Sequence, residues 1–287
     1  MKHTASYKFL KKSSGQAVLL VILGMAVVLT IVLSVVSRSV TDVSISEVEE
    51  NSSKAFSAAE AGIERLLIGE TNISGEQLGN DAFIESAQSY TLDEGGNFFS
   101  FSDNYNNGDT ATVWFVSHTD DGLRLTCTNK ICFNGSSFTV FWNGNNTAVE
   151  VVVYYDTLGL SGAIASTPNF SGIRVKRFAF DPISSRRAVN GFTAASGGQN
   201  GYSFSSGSIN ISDLTRPLFA VIRVLYGYSS GLGVNVQGGV LPSQGKLLVS
   251  RGYSGGTVRQ VEVADYYRTP LSVFEAGLVS SGDLSKQ

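Results

Sequence analysis

Only a few side chains in this sequence are typed and spaced for chemistry. Cys127 and Cys132 enclose Thr-Asn-Lys-Ile and are the only cysteines among 287 residues. Opposed positions across a hairpin bring two such side chains close enough to oxidise to a disulfide, which an extracytoplasmic setting would preserve. So small a closed loop stabilises by about 2 kcal/mol. The same pair could supply half of a zinc site, but His118 is the only histidine after residue 3, and four ligands do not assemble. A disulfide is therefore the expected chemistry, with no metal and no other cofactor.

The remaining groupings point away from catalysis. Asp103-Asn104-Tyr105-Asn106-Asn107-Gly108-Asp109 offers the alternating oxygens of a calcium loop. Tyr105 occupies a ligand position, however, and Trp114 stands where a closing glutamate would be, so an Asn/Gly turn is the better reading. His118 with Asp120 and Asp121 could form an acid/base group, yet they fall where a strand pattern meets the turn Asp120-Asp121-Gly122. No G-x-S-x-G elbow or phosphate loop is present, and carboxylates are scattered rather than paired in apolar surroundings. No catalytic residue is expected. Arg174, Lys176, Arg177, Arg186 and Arg187 make the densest basic region, which reads as an ordinary exposed strand and loop. With a net charge of −3 and 16% charged residues, a broad basic surface is missing and no nucleic-acid partner is expected.

What must position these residues is set by an uneven distribution of residue types. Gly15, Gly24 and Gly62 are the only glycines before residue 68, and the first proline is Pro168, so the N-terminal part can form one continuous helix. From Ser13 to Ser37 no side chain is charged, and residues 17–36 read AVLLVILGMAVVLTIVLSVV. That run is long enough to cross a hydrocarbon core of about 30 Å. It is also longer than the apolar stretch of a removable signal peptide. Lys2, Lys8, Lys11 and Lys12 precede it without an acidic residue, whereas Arg38 to Leu67 holds six acidic and three basic residues. The positive-inside rule then puts the N-terminus in the cytoplasm and everything after Arg38 outside. Beyond the apolar run, positions 48, 55/56, 59, 63 and 66/67 recur at helical steps. This stripe must cover something, either the chain's own remainder or copies of the same helix.

From about Asn97 the pattern changes to short strands rich in Val, Phe, Tyr and Ile, bounded by turn residues. The expected strands are 98–102, 111–118, 137–142, 148–156, 173–180, 218–226, 246–251 and 257–267. Residues 189–210 read as a long Gly/Ser/Asn-rich loop, and 271–283 as a closing element. The fold class expected is α+β: a basic leader over 1–15, a long helix over 16–69 that spans a membrane at 17–36, a linker over 70–96, and a β-rich, sandwich-like extracytoplasmic domain over 97–287.

Two segments carry a family resemblance. Lys11-Lys12-Ser13-Ser14-Gly15-Gln16 ahead of the apolar run resembles a type IV prepilin leader. Ala58, Ala59, Glu60, Ala61 and Gly62, followed by Ile63 and Glu64, resemble the AAEAGIE-like stretch of minor pilins with a PilX-type N-terminal region. Together these cover about the first 67 residues. The resemblance implies cleavage between Gly15 and Gln16 by a prepilin peptidase, methylation of the new amino terminus, and assembly with other pilin-like subunits into a type IV pilus or pseudopilus at the cell surface. Two positions depart from the common pattern. Major pilins carry a glutamate five residues into the mature chain, where this sequence has Leu20, and many have an aromatic residue or methionine where this one has Gln16. The first departure points to a minor, initiating or tip component. The alternative reading is a signal-anchored binding module that recognises glycan or protein through Gly/Asn-rich loops and aromatics such as Tyr105 and Tyr202.

Overall fold

In a computed structural model, the structure describes residues 14–79, 81–92 and 94–269. The leader residues 1–13 and the expected closing element 271–283 lie outside the described residues.

A single helix, α1 (Ser14–Leu67), runs for 54 residues, about 80 Å at 1.5 Å per residue. It begins two residues earlier than expected, taking in Ser14 and Gly15. Every residue from Gln16 to Glu50 is exposed. Thr30 Oγ1 donates to the Val27 carbonyl at 2.8 Å and Thr41 Oγ1 to the Ser37 carbonyl at 3.0 Å. Such back-bonding satisfies hydroxyls within the helix itself. The helix stops for a local reason. Gly69, at φ +99°, donates to the Leu66 carbonyl, and Glu70 N–H reaches back to the Arg65 carbonyl, which together form a Schellman cap around a left-handed glycine.

After α1 the chain is almost entirely β. In order, the strands are β1 (Ile73–Gln77), β2 (Ala82–Thr91), β3 (Phe98–Phe101), β4 (Thr110–Trp114), β5 (Ser117–His118), β6 (Leu125–Thr126), β7 (Ser137–Trp142) and β8 (Ala148–Asp156). They continue with β9 (Ile173–Asp181), the short helix α2 (Ser184–Asn190), β10 (Thr193–Ala194), β11 (Ser196–Gly197), β12 (Phe204–Ser205) and β13 (Ile209–Asn210). The last four are β14 (Pro217–Leu225), β15 (Leu232–Gln237), β16 (Gly245–Ser254) and β17 (Thr257–Tyr266). Residues 70–96, expected as a linker, hold β1 and β2, whose polar faces (Glu76, Gln77, Glu85, Gln88) hide the strand pattern in the sequence. The stretch 189–210, expected as one loop, contains four two-residue strands as well as the end of α2, and β15 has no counterpart among the expected strands. The long β7, β8, β9 and β14 lie within a residue of expectation, because buried runs of Val, Phe and Ile mark them.

The chain divides into two compact units. One comprises Met1–Gly62, Ile73–Ser86 and Arg251–Val261; the other comprises Ile63–Asn72, Ala87–Ser250 and Glu262–Gln287. Strands β1, β2, β16 and β17 form a four-stranded sheet in the order β1-β2-β16-β17. Its last two strands are joined by Gly255-Gly256, both at positive φ as a two-residue hairpin turn requires.

The second unit holds a five-stranded sheet, β10-β9-β8-β14-β4, and a six-stranded one built on β11-β12-β7-β15-β3, with β13 also on β7. Central pairings are antiparallel, for example Val152↔Val221 and Val140↔Val234. The turn 143–147 carries the chain from β7 in one sheet to β8 in the other, with Gly144 at φ +98° and Trp142 Nε1 donating to the Thr147 carbonyl at 3.0 Å. Phe138, Val140 and Trp142 on one sheet share a single buried cluster with Val149, Val151 and Val153 on the other.

Candidate functional site

The resemblance motif sits in the C-terminal part of α1. Ala55, Ala58 and Ala59 are buried, as is Gly62, whereas Glu60 is exposed. Gly252 on β16 explains the run of small residues. A Cβ at Gly252 would be driven into the Ala55 carbonyl, the Ala59 amide and the Ala58 methyl, so helix and strand backbones touch here directly. Polar contacts flank this point. Ser254 Oγ donates to Asn51 Oδ1 at 3.4 Å and Arg259 Nε donates to Ser52 Oγ at 2.8 Å. Lys54 pairs with Glu50 at 2.8 Å, an exposed i,i+4 pair of small energetic weight. Of the expected stripe, positions 55, 59, 63 and 66 are buried, but Val48, Phe56 and Leu67 are exposed. The covered face is narrower than the apolar one, because close backbone approach selects alanine and glycine rather than large side chains. Gly252 itself is invisible to a sequence reading, since one glycine in a strand pattern among 31 carries no distinguishing signal.

Gly15 and Gln16 lie in the first turn of α1. From Gln16 on, the helix is long and apolar enough to cross a membrane, and none of its most apolar window is buried. Leu20 is exposed within that run.

Cys127 and Cys132 are joined in a disulfide, with Cα atoms 5.7 Å apart. Neither lies in a strand. Cys127 follows β6, and the loop returns to Phe133, whose N–H donates to the Phe115 carbonyl at 2.8 Å. The bridge packs beside Trp114, Val116 and Leu218.

His118, Asp120 and Asp121 are not brought together as an acid/base group. Asp120 pairs with Lys130 at 2.7 Å, and Asp121 accepts from Thr119 Oγ1 and, at 3.0 Å, from the Leu123 amide. His118 is buried, stacked on Tyr267 at 3.8 Å and edge-on to Trp114 at 4.5 Å. Its Nδ1 has no hydrogen-bond partner among the described residues. Burial pushes its pKa down to about 4. A lowered histidine pKa makes stability fall with acidification. Below about pH 6.5 the unfolded chain takes up a proton that the folded chain refuses until about pH 4. Full-length protein in detergent is therefore expected to lose about 2 kcal/mol between pH 7 and pH 5 through this group. Urea unfolding of His118→Phe, which keeps a ring against Tyr267, should lack that loss; an unchanged acid sensitivity would refute the assignment.

The stretch 103–109 is a turn: Asn106 N–H donates to Asp109 Oδ2 at 2.7 Å, and Gly108 has φ +94°. Tyr105 is buried and bridges to Ser229, and burial raises its phenol pKa. Tyr202 lies over Gly233, with its hydroxyl at 2.8 Å from Ser100 Oγ and donating to the Leu232 carbonyl at 3.1 Å. Tyr105 is thus a core residue, whereas Tyr202 is half-buried over a sheet face. No group of three or more metal-ligating side chains occurs among the described residues.

The basic region is consumed locally. Lys176 pairs with Asp213 at 2.7 Å and Arg177 with Glu150 at 2.9 Å; Arg174 and Arg187 donate to backbone carbonyls. Arg186 makes a two-pronged contact with buried Asp181 at 2.7 and 2.8 Å. Burial alone would raise the Asp181 carboxyl, but Arg186 and the Ile183 amide outweigh it and hold its pKa below the ordinary carboxylate range. Asp156 is also fully buried and fastens the loop after β8, accepting from the Leu158 amide at 2.9 Å and the Ala163 amide at 2.6 Å.

Comparison with protein-family models, with curated proteins and with solved structures finds no match to this chain.

Proposed function

We propose that this chain is a non-enzymatic minor pilin-like subunit, held in a membrane by α1 and assembled with other pilin-like subunits into a type IV pilus or pseudopilus. The observation that carries this reading is the continuity of α1. One unbroken helix begins as an exposed apolar rod and ends with Ala55, Ala58 and Ala59 against Gly252. Its basic flank before Ser13 and acidic flank after Arg38 favour a cytoplasmic N-terminus and a β-rich part outside. The disulfide suits an oxidising compartment on that side. Two sheets that share one buried cluster support a sandwich for the β-rich part. Leu20, in place of a glutamate, removes both the cost of a carboxylate in lipid and its pairing with a neighbouring amino terminus, which favours a minor or tip position.

The test is processing. Coexpressed with a prepilin peptidase, the protein should lose residues 1–15 and start at Gln16, with a methyl group on the new amine, as read by mass spectrometry of the N-terminus. Gly15→Val, which puts a branched side chain at the scissile bond, should reduce cleavage at least tenfold. Intact Met1 in membranes that contain active peptidase would reject the pilin reading and leave a simple anchored module.

A further inference from the structure

Leu67, Ile68 and Leu123 are 54%, 79% and 70% exposed, and all three line one cleft of about 680 Å³. The residues around it all belong to the second unit. Leu67 ends α1, Ile68 follows it, and Leu123 comes after the turn at Gly122. Charged groups in the wall are committed to one another or to backbone. Glu70 pairs with Arg65 at 3.1 Å and Asp120 with Lys130 at 2.7 Å, while Lys246 Nζ donates to the Asp120 carbonyl at 3.1 Å. What remains open in the wall is hydrocarbon. Single exposed leucines are ordinary on a protein surface, but several around one concavity mark a place where something docks. The chain itself leads into this cleft. Tyr267, in its wall, is fixed by stacking on His118 at 3.8 Å and by donating its N–H to the Gln244 carbonyl at 3.2 Å. Its ring lies 3.7 Å from where a Cβ on Gly122 would stand, so the chain leaves β17 beside Leu123. Residues 270–279 then read PLSVFEAGLV, with Glu275 the only charge. Leu271, Phe274 and Leu278 recur at steps of three and four, the spacing that lets two turns of helix present them together. Leu271 follows Tyr267 by four residues, a reach of about 14 Å at full extension.

We propose that residues 271–279 dock in this cleft, with Leu271, Phe274 and Leu278 against Leu67, Ile68 and Leu123. The tether favours this occupant over any other. A segment joined to the cleft wall by so short a link is present there at an effective concentration on the order of millimolar. A second copy or a separate partner would first lose its translational and rotational freedom. Docking covers the apolar residues at the end of α1 and ties that end to the last strand. It does not depend on how the N-terminus is processed, so its failure and a failure of processing are separate results.

The test uses the full-length protein in lipid nanodiscs, one chain per disc, so that detergent cannot fill the cleft. Hydroxyl-radical oxidation, read by mass spectrometry, reports how accessible Ile68 and Leu123 are. Carrying Phe274→Asp and Leu278→Asp together should raise their oxidation about fivefold, since a segment tethered at millimolar effective concentration is docked most of the time. Phe138 and Trp142, in the buried cluster between the two sheets, should stay protected and verify that the variant folds. A short bismaleimide should also join Ile68→Cys to Phe274→Cys within one chain; the native cysteines, being paired, do not react. Oxidation of Ile68 and Leu123 unchanged by the two aspartates would overturn the proposal, as would failure of the intrachain link. In discs that hold two chains, a link formed between chains in preference to within one would make a second copy the occupant and overturn it equally.

Discussion

Gly252→Val is expected to detach α1 from the sheet strand it touches. The new side chain must occupy space filled by the Ala55 carbonyl and the Ala59 amide, and backbone atoms cannot rotate away as a long side chain can. Overpacking in a well-filled core costs about 1–3 kcal/mol when neighbours relax; here the neighbours are a helix backbone, so about 3 kcal/mol or more is expected. Hydrogen exchange of the amides of residues 51–62 in the detergent-solubilised protein gives the readout. Those amides should lose protection while Val149–Val153, in the core of the other unit, keep theirs. A comparison variant, Phe56→Ala, removes a large but exposed side chain from the same helical turn and should cost well under 1 kcal/mol. If the valine variant exchanged like the wild type, the direct backbone contact would not be what holds α1 there.

The second large effect is expected at Asp156→Ala. The carboxylate is fully buried and accepts two amides, Leu158 N–H and Ala163 N–H, and a Cβ at either Gly162 or Gly172 would run into it. Removing it leaves the buried Ala163 donor and the part-buried Leu158 donor unsatisfied as well as a void, about 3 kcal/mol in total at roughly 2 kcal/mol for the buried donor and about 1 kcal/mol for the other. Asp156→Asn keeps one acceptor oxygen and should cost about half as much. Denaturant midpoints at constant slope measure both changes, and protease cleavage within 157–172 should accelerate in the alanine variant first. Equal midpoints for wild type and Asp156→Ala would show that the loop is held by other means, such as the Thr157 contacts with the Gly172 carbonyl.

Both predictions concern residues that a sequence reading passes over, and the reason is common to them. A glycine in a strand and an aspartate at a strand end are ordinary residues locally; their roles come from the atoms that other parts of the chain bring to them. The same holds for Leu67, Ile68 and Leu123, which only the fold brings to one cleft. Tyr105 illustrates the opposite error. The alternative reading counts it among the aromatics open to recognition, yet its ring is drawn into the core beside Phe101.

Some features were legible before any folding was considered. The apolar rod of α1 depends on composition alone, because twenty uncharged residues without proline satisfy their backbone only as a helix once water is excluded. Buried strands such as β7, β8 and β14 announce themselves for a related reason: continuous Val, Ile and Phe have nowhere else to go. Even the cysteine pair is constrained by proximity in sequence, since a loop of four intervening residues keeps the thiols near one another. By contrast, β1 and β2 went unseen because their side chains are largely polar and half-exposed, and their place in a sheet is fixed by pairing with distant β16. Which glycine meets the helix, which carboxylate is buried and which leucines share a cleft were decided only in three dimensions. Each depends on contacts between segments far apart in the chain, and no local pattern of residues encodes the distance between them.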